Sequence, residues 1–321
     1  MEEFKERFGE SAVDFSRVKS NVGSSFISIG SRALNLKLTG HSEVGIVKRR
    51  IYEVYGPEGT GKTTICLEAI ASCQKNGGRA MFIDAEHQLD PTYAKRLGVK
   101  LHLLDLGEPD SGEEAFEMIE WGIDQGEDLI VIDSVSAMTP TAEIEGDMGD
   151  THMGLQARMM GQGLRRITSK LKAGTPTAII FINQIRMKIG VMFGNPETRS
   201  GGMALKFFAS ITLDLRTPRM KKIVESKEEI GKIIVAKTIK NKIYPPFKKC
   251  NVYLTYGEGI DKGKDLIEAL VQVGAAEGSK KRATVKIKGY NQMTRDTLVF
   301  KMKKDKEFNK KIKNMLNEEA K

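Results

Sequence analysis

Residues Gly56-Pro-Glu-Gly-Thr-Gly61-Lys62-Thr63 fit the spacing G-x-x-x-x-G-K-[ST] of a phosphate-binding loop. Glycines let the backbone curl so that successive N–H groups face an anion, and a helix starting there adds its positive end. Lys62 would neutralise β- and γ-phosphate charge, and the Thr63 hydroxyl would coordinate Mg²⁺. The candidate nucleotide contacts are therefore Gly56, Pro57, Glu58, Gly59, Thr60, Gly61, Lys62, Thr63 and Thr64. The loop follows a strand-like run and precedes a helical pattern, Thr64-Ile-Cys-Leu-Glu-Ala-Ile70, which is the context such a loop needs. Leu129-Ile-Val-Ile-Asp133 is an apolar strand ending in a carboxylate, at the edge where ligands bind in open α/β sheets. Beside the loop motif, Asp133 reads as a holder of the Mg²⁺ shell. Phe82-Ile-Asp-Ala-Glu86-His87 ends another core strand in acidic residues. A carboxylate there could polarise a water attacking a γ-phosphate, or Asp84 or Glu86 could cap the next helix; spacing alone does not choose.

These side chains need a scaffold, and short apolar runs supply one. Strands are expected at Ile51–Tyr55, Ala80–Asp84, Leu129–Asp133, Ala178–Asn183, Ser210–Leu215, Lys232–Thr238 and Asn251–Tyr256. Continuous apolar runs suit strands buried on both faces, hence α/β architecture with a mostly parallel sheet sandwiched by helices. The later strands lie closer together, which suits antiparallel or edge strands. Residues 1–30 read as a separate oligomerisation arm, with Phe4 and Phe8 on a short amphipathic helix that must dock on its own domain or on a neighbouring subunit. Residues 31–260 form the expected core. Residues 261–321 read as a small basic α/β domain with helical spacing over Leu266–Val273 and a final Lys-rich helix over Asp305–Glu319.

The chain has 321 residues, 40% of them hydrophobic, enough for a substantial core. No apolar run reaches membrane-spanning length, and the N-terminus lacks a signal-peptide stretch; a cytoplasmic protein is expected. Three cysteines, Cys66, Cys73 and Cys250, have no metal-ligand spacing; Cys66 and Cys73 read as buried helix residues. Net charge is +9, and residues 280–321 alone hold 14 Lys+Arg against 5 Asp+Glu. Such a segment suits nucleic acid or another polyanion, or is simply a solvated surface.

Three longer segments resemble one family. Phe82-Ile-Asp-Ala-Glu-His-Gln-Leu-Asp-Pro91 is similar to the stretch after the second strand of bacterial RecA recombinases. Ile132–Arg158, containing Met-Thr-Pro-Thr-Ala-Glu-Ile-Glu-Gly-Asp-Met-Gly-Asp-Thr-His-Met, resembles their Walker B strand and first DNA-binding loop. Phe181-Ile-Asn-Gln-Ile-Arg-Met-Lys-Ile-Gly-Val-Met-Phe-Gly-Asn-Pro-Glu-Thr198 is nearly identical to their second. The resemblance covers roughly residues 26–260. It implies a RecA-type ATPase core with DNA-binding loops near 145–155 and 185–200. The implied protein is a DNA-dependent ATPase using ATP and Mg²⁺. It would form helical filaments on single-stranded DNA and pair that strand with homologous duplex DNA. Glu86 would be the catalytic base, Asp90 and Tyr93 would contact adenine, and Gln184 would sense the γ-phosphate. Lys240 and Lys242 would reach the ATP of a neighbouring subunit, with Phe207 at that interface. Met153, Arg158, Arg165, Arg186, Lys188, Ile189, Gly201 and Gly202 would meet DNA. The Arg and Lys side chains would neutralise phosphates, while Met153 and Ile189 would wedge between bases. A self-cleaving repressor and filament-loading proteins are further implied partners.

Several positions depart from the family pattern. Glu58-Gly59-Thr60 stands where the family more often has Ser at the middle positions. Met203 replaces a DNA-facing Asn, Arg199 adds a positive charge among the second loop's usual threonines, and Gly161 and Gly163 enter the helix after the first loop. The basic end, with Lys303, Lys304, Lys310, Lys311 and Lys313 where bacterial members have an acidic tail, is expected to ease duplex capture; deletion after Asp305 would test this. A divergent or phage-encoded member is expected. A ring-forming helicase of the same core would share the nucleotide signatures but not the two DNA loops. A purely scaffolding, non-hydrolytic regulator would not need Glu86 and Gln184.

Overall fold

The computed structural model describes residues 26–147, 154–173, 176–187, 194, 196–218, 222–225, 228–278 and 284–320. A short antiparallel pair, β1 (Phe26–Ile27) and β2 (Ile46–Val47), encloses helix α1 (Arg32–Leu38). Then come β3 (Arg50–Gly56), α2 (Lys62–Lys75), β4 (Ala80–Asp84), α3 (Pro91–Arg96), β5 (Leu104–Gly107), α4 (Gly112–Asp124) and β6 (Leu129–Asp133). They are followed by α5 (Thr141–Ile144), α6 (Leu155–Ala173), β7 (Ala178–Met187), β8 (Glu197–Arg199), α7 (Ala204–Phe208) and β9 (Ile211–Arg216). After β9 the chain forms β10 (Lys222–Glu225), β11 (Glu228–Asn241), β12 (Lys249–Thr255), β13 (Gly259–Ile260) and α8 (Lys262–Gln272). A three-stranded sheet of β14 (Ala276–Gly278), β15 (Thr284–Ile287) and β16 (Met293–Thr294) precedes α9 (Arg295–Lys304) and α10 (Lys306–Glu319).

Among the described residues the main sheet has 11 strands, in the order β13-β12-β11-β9-β3-β7-β6-β4-β5, with β10 on β11 and β8 on β7. Pairing is parallel from β9 through β5 and antiparallel from β9 through β11 and β12 to β13. All seven expected strands are present. The unexpected ones are short or lie at an edge; β5, Leu-Asp-Leu-Gly, is half exposed and carries too little apolar pattern to announce itself.

Strand alternation divides the apolar residues between two layers. Ala80, Phe82, Leu129, Val131, Ala178, Ile180 and Ile182 face the layer that holds Ile65, Ala69 and Ile70 of α2. Met81, Ile83, Ile130, Ile132, Ile179 and Phe181 face the other, with Phe116 and Ile119 of α4 and Met160, Leu164 and Ile167 of α6. Every residue of β4 and β6 is buried, as expected for strands covered on both sides. Cys66, Cys73 and Cys250 are free and buried, packing as small apolar groups.

The first apolar layer does not stop at residue 260. Leu266, Ile267 and Leu270 of α8, Val299 of α9, and Phe308, Ile312 and Leu316 of α10 belong to it. Asp265 is buried and accepts the N–H groups of Arg32 (2.7 Å) and Ala33 (3.3 Å), clamping α8 to the start of α1. Deletion after Asp305 is therefore an unsuitable test of the basic end: it would strip Phe308, Ile312 and Leu316, 5%, 0% and 0% exposed, from the core along with the lysines. Asp305 itself caps α10, accepting from the Phe308 N–H at 2.9 Å.

Candidate nucleotide site and the hairpin beside it

Parallel pairing brings the C-terminal ends of β3, β7, β6 and β4 to one edge, where the expected nucleotide residues collect. Gly56 ends β3, and a Cβ there would lie 2.3 Å from the Leu215 carbonyl oxygen, so only glycine fits. Gly59 and Gly61 have φ of 66° and 79°, the left-handed region that curls the loop back on itself. Gly61 caps the 14-residue α2 with no side-chain cap bond and no acidic residue in the first turn, so its N-terminal dipole is left for an anion. Lys62 is buried, and its ammonium donates to the carbonyls of Gly56 (3.2 Å) and Pro57 (2.9 Å). Burial lowers its pKa, opposed by the nearby carboxylates of Asp133, Glu86 and Glu58.

The Thr63 hydroxyl donates to Asp133 Oδ2 at 2.5 Å, placing the two expected Mg²⁺ ligands side by side. Burial pushes the Asp133 carboxyl up to about 6, with Glu86 and Asp84 adding to the shift and the Thr63 hydrogen bond and Lys62 opposing it. This donor set of hydroxyl and carboxylate oxygens beside an uncapped phosphate loop suits a hard divalent cation shared with phosphates. Thr64 Oγ1 lies 3.0 Å from the Tyr93 hydroxyl, which ties α2 to α3. Asp90 caps α3 by accepting the Thr92 N–H at 2.8 Å, while Asp84 accepts the Leu89 N–H at 2.8 Å. The alternative open at Glu86 is thereby narrowed: Asp90, not Asp84 or Glu86, caps that helix.

Glu86 points along the same edge. Its Oε1 accepts from Gln184 Nε2 at 2.7 Å and also from the Ser134 hydroxyl. The Ala85 and Glu86 N–H groups donate to the Asp133 carbonyl, at 2.8 and 3.2 Å, fixing the turn after β4 against β6. Lys62, Thr63, Asp133, Glu86 and Gln184 thus form one cluster drawn from four strand ends.

Gln184 belongs to β7, which runs on into a hairpin. β8 pairs with it in the register Ile185–Arg199, Arg186–Thr198 and Met187–Glu197. Arg216 forks onto Glu197 at 2.6 and 2.7 Å and also donates to Asp214 at 2.7 Å. Arg186 is exposed on this hairpin, and Arg158 and Arg165 are exposed seven residues apart on one face of α6. Gly201 is buried with φ of 78°; a Cβ would lie 2.8 Å from Val135. Exposed Gly202 has φ of 73°, and its Cβ would lie 2.7 Å from Ala157 Cβ. These glycines let the turn after β8 dock on α6. Met153, Lys188 and Ile189 lie outside the described residues.

Lys240 and Lys242 do not join this chain's own phosphate loop. Asn241 pairs with Ile211, level with Tyr52, whereas the loop leaves β3 at its other end after Gly56. The Lys240 ammonium donates to the carbonyls of Lys206 (2.8 Å) and Phe207 (2.9 Å), and the Phe207 ring is 67% exposed. Lys240 and Phe207 therefore share one surface.

Sequence reasoning missed Ser134, Glu53 and Asn183. Glu53 carried a signal: a carboxylate inside the apolar strand Ile51-Tyr-Glu-Val-Tyr55 must find partners. Arg199, an added positive charge in the second loop by sequence, pairs through its guanidinium with the buried Glu53 and lies 4.6 Å from the Tyr55 ring centre.

Residues 1–261 match the RecA N-terminal domain family. Protein RecA of Thioalkalivibrio sulfidiphilus (strain HL-EbGR7) is 52% identical over 254 residues, covering 79% of this chain and 72% of that protein. A match of this extent, over a sheet edge that gathers the loop, Asp133, Glu86 and Gln184, shows that the chain belongs to the RecA family.

Proposed function

We propose that this chain is a DNA-dependent ATPase recombinase that assembles as a filament on single-stranded DNA and exchanges strands with homologous duplex. The single observation that carries the reading is the bond from Gln184 to Glu86, because Gln184 is also the last residue of β7 before its hairpin with β8. One side chain thus touches the candidate water-activating carboxylate and roots the candidate DNA loop.

In this reading the loop N–H groups and the α2 N-terminus bind the phosphates of ATP, with Lys62 neutralising their charge. Thr63 and Asp133 hold Mg²⁺, which supplies charge neutralisation when bound. Glu86 orients and deprotonates a water, while Gln184 exchanges Glu86 for the γ-phosphate and pulls on the hairpin. Asp90 and Tyr93 flank the adenine. Lys240 and Lys242 act on the neighbouring protomer's phosphates across the face that also carries Phe207, so turnover depends on assembly. Arg158, Arg165 and Arg186 neutralise the DNA backbone. Residues 1–30 are the assembly arm and residues 261–321 a basic accessory unit. No helix among the described residues is long and apolar enough to cross a membrane.

Two substitutions test the reading. Lys62→Ala is expected to abolish ATP-dependent filaments in electron micrographs and strand exchange in a gel assay; retained exchange would overturn it. Glu86→Gln is expected to bind nucleotide and assemble while turnover falls by about 10²-fold or more. Normal turnover would remove Glu86 from its role.

A further inference from the structure

Glu53 is 1% exposed in the middle of β3, three residues before the phosphate loop begins. A carboxylate so placed needs partners, and four side chains are arranged about it. Asn183 Nδ2 donates to it at 3.2 Å, Thr212 Oγ1 lies at 3.4 Å, the Arg199 guanidinium pairs with it, and Lys240 adds a more distant positive charge. Arg199 comes from β8, the return strand of the hairpin, and is largely buried between Glu53 and the face of Tyr55.

Asn183 closes the circuit. Its Nδ2 also donates to the Ser200 carbonyl at 3.2 Å, and its Oδ1 accepts the Gln184 N–H at 2.9 Å. A continuous chain of polar contacts therefore runs from Glu86 through Gln184 and Asn183 to Glu53 and Arg199. The outgoing strand of the hairpin is held at Gln184 and the return strand at Arg199, and both anchors converge on β3 and β7 beside the phosphate loop. A neutral residue at 199 would leave the return strand with Arg216–Glu197 as its charged tie to the main sheet.

We propose that Arg199 is a positioning residue: through its pair with Glu53 it clamps the return strand of the hairpin to the nucleotide strand β3, and so sets how strongly nucleotide and single-stranded DNA affect each other's binding. The proposal rests on the DNA-dependent ATPase reading above. It makes the buried pair a transmission element rather than a stabiliser alone. A rigid link at the return strand turns movement of Gln184 into a change of hairpin shape; with that link cut, the same movement is absorbed at the hairpin base.

The experiment measures affinity for a fluorescent oligo-dT, with and without a non-hydrolysable ATP analogue and Mg²⁺, on the full chain. The coupling factor is the ratio of the two affinities, and linkage requires the same factor in analogue affinity with and without DNA. Arg199→Met alone leaves Glu53 buried without its cation and is expected to lower thermal stability. The double variant Glu53→Gln, Arg199→Met removes both charges and is expected to melt close to wild type, so folding and coupling separate. Its coupling factor is expected to fall about fivefold or more relative to wild type. A double variant that folds and couples as wild type does would overturn the proposal. Should the double variant not fold, Arg199→Gln decides, since it keeps a polar side chain of similar reach but loses the charge pair with Glu53; undiminished coupling there would overturn the proposal as well. A wild-type coupling factor of one would instead overturn the underlying functional reading.

Discussion

Glycine occupies two positions in α6, and its consequences differ between them. Gly163 lies where a Cβ would sit 2.5 Å from the buried Phe116 ring, so its missing side chain lets α6 approach α4. At Gly161 the nearest atoms to a Cβ are Arg165 Nη1 at 3.7 Å and Ala204 Cβ at 4.0 Å, ordinary van der Waals distances. Gly161→Ala is therefore expected to raise stability by about 1 kcal/mol, the usual helix-interior difference. Gly163→Ala is expected to lower it by about 1–3 kcal/mol through overpacking. Urea denaturation followed by circular dichroism checks both, and shifts of the same sign would contradict the packing described. At this scale the phosphate loop and Asp133 were legible as candidates because their chemistry demands particular residue types at particular strand ends, whereas spacing left Glu86 open between a catalytic carboxylate and a helix cap and only the family resemblance singled it out. Ser134 and Asn183 were not, since a lone hydroxyl or amide beside a strand has many possible partners until the strands are paired. The partner of Arg199 was not legible for the same reason: its positive charge was plain, but the carboxylate that occupies it lies 146 residues away in sequence.

Between elements, charge is buried where strands β4 and β6 begin. Glu127, 1% exposed in the turn before β6, sits 2.7 Å from Arg79 Nη2 at the entry to β4. Burial pushes its carboxyl up from 4.5 to about 7, against the pull of Arg79 and with Asp105 and Asp128 adding to the rise. A carboxyl whose folded value lies above its unfolded one favours the folded state when protonated. Stability is therefore expected to fall as pH rises from 4.5 to about 7. Glu127→Gln keeps the shape without the titration. Its unfolding free energy is expected to match wild type near pH 4.5 and to exceed it above pH 7, by at most about 3 kcal/mol. Denaturant titrations across this range check it, and an unchanged pH slope would contradict it. The sheet strands themselves were legible because continuous apolar runs mark burial on both faces. The β7–β8 hairpin was not: β8 is Glu-Thr-Arg, three polar residues with no apolar period, and long-range ties to Asn183, Glu53 and Arg216 hold it in place.

Over the whole molecule, positive charge concentrates in residues 280–321; on α9 and α10 Lys303, Lys304, Lys310, Lys311 and Lys313 are all exposed while Phe308, Ile312 and Leu316 are buried beneath. Composition announced the charge; the amphipathic anchoring that makes truncation unsuitable emerged once α10 was placed against the shared apolar layer. Replacing these five lysines by Gln keeps the core and removes the charge. Duplex affinity is expected to weaken, and the slope of log affinity against log salt to flatten by about 0.9 for each phosphate that is no longer neutralised. An unchanged slope would show that this face does not meet duplex. In the proposed function, nucleotide at the β3 edge, acting through Gln184, governs the grip of the hairpin on an unpaired strand. The most direct test of that control is the affinity of the wild-type chain for a single-stranded oligonucleotide, measured at fixed salt with Mg²⁺ and a non-hydrolysable ATP analogue, and again without nucleotide. Binding about tenfold or more tighter with nucleotide is the expected result; equal affinity in both conditions would contradict it.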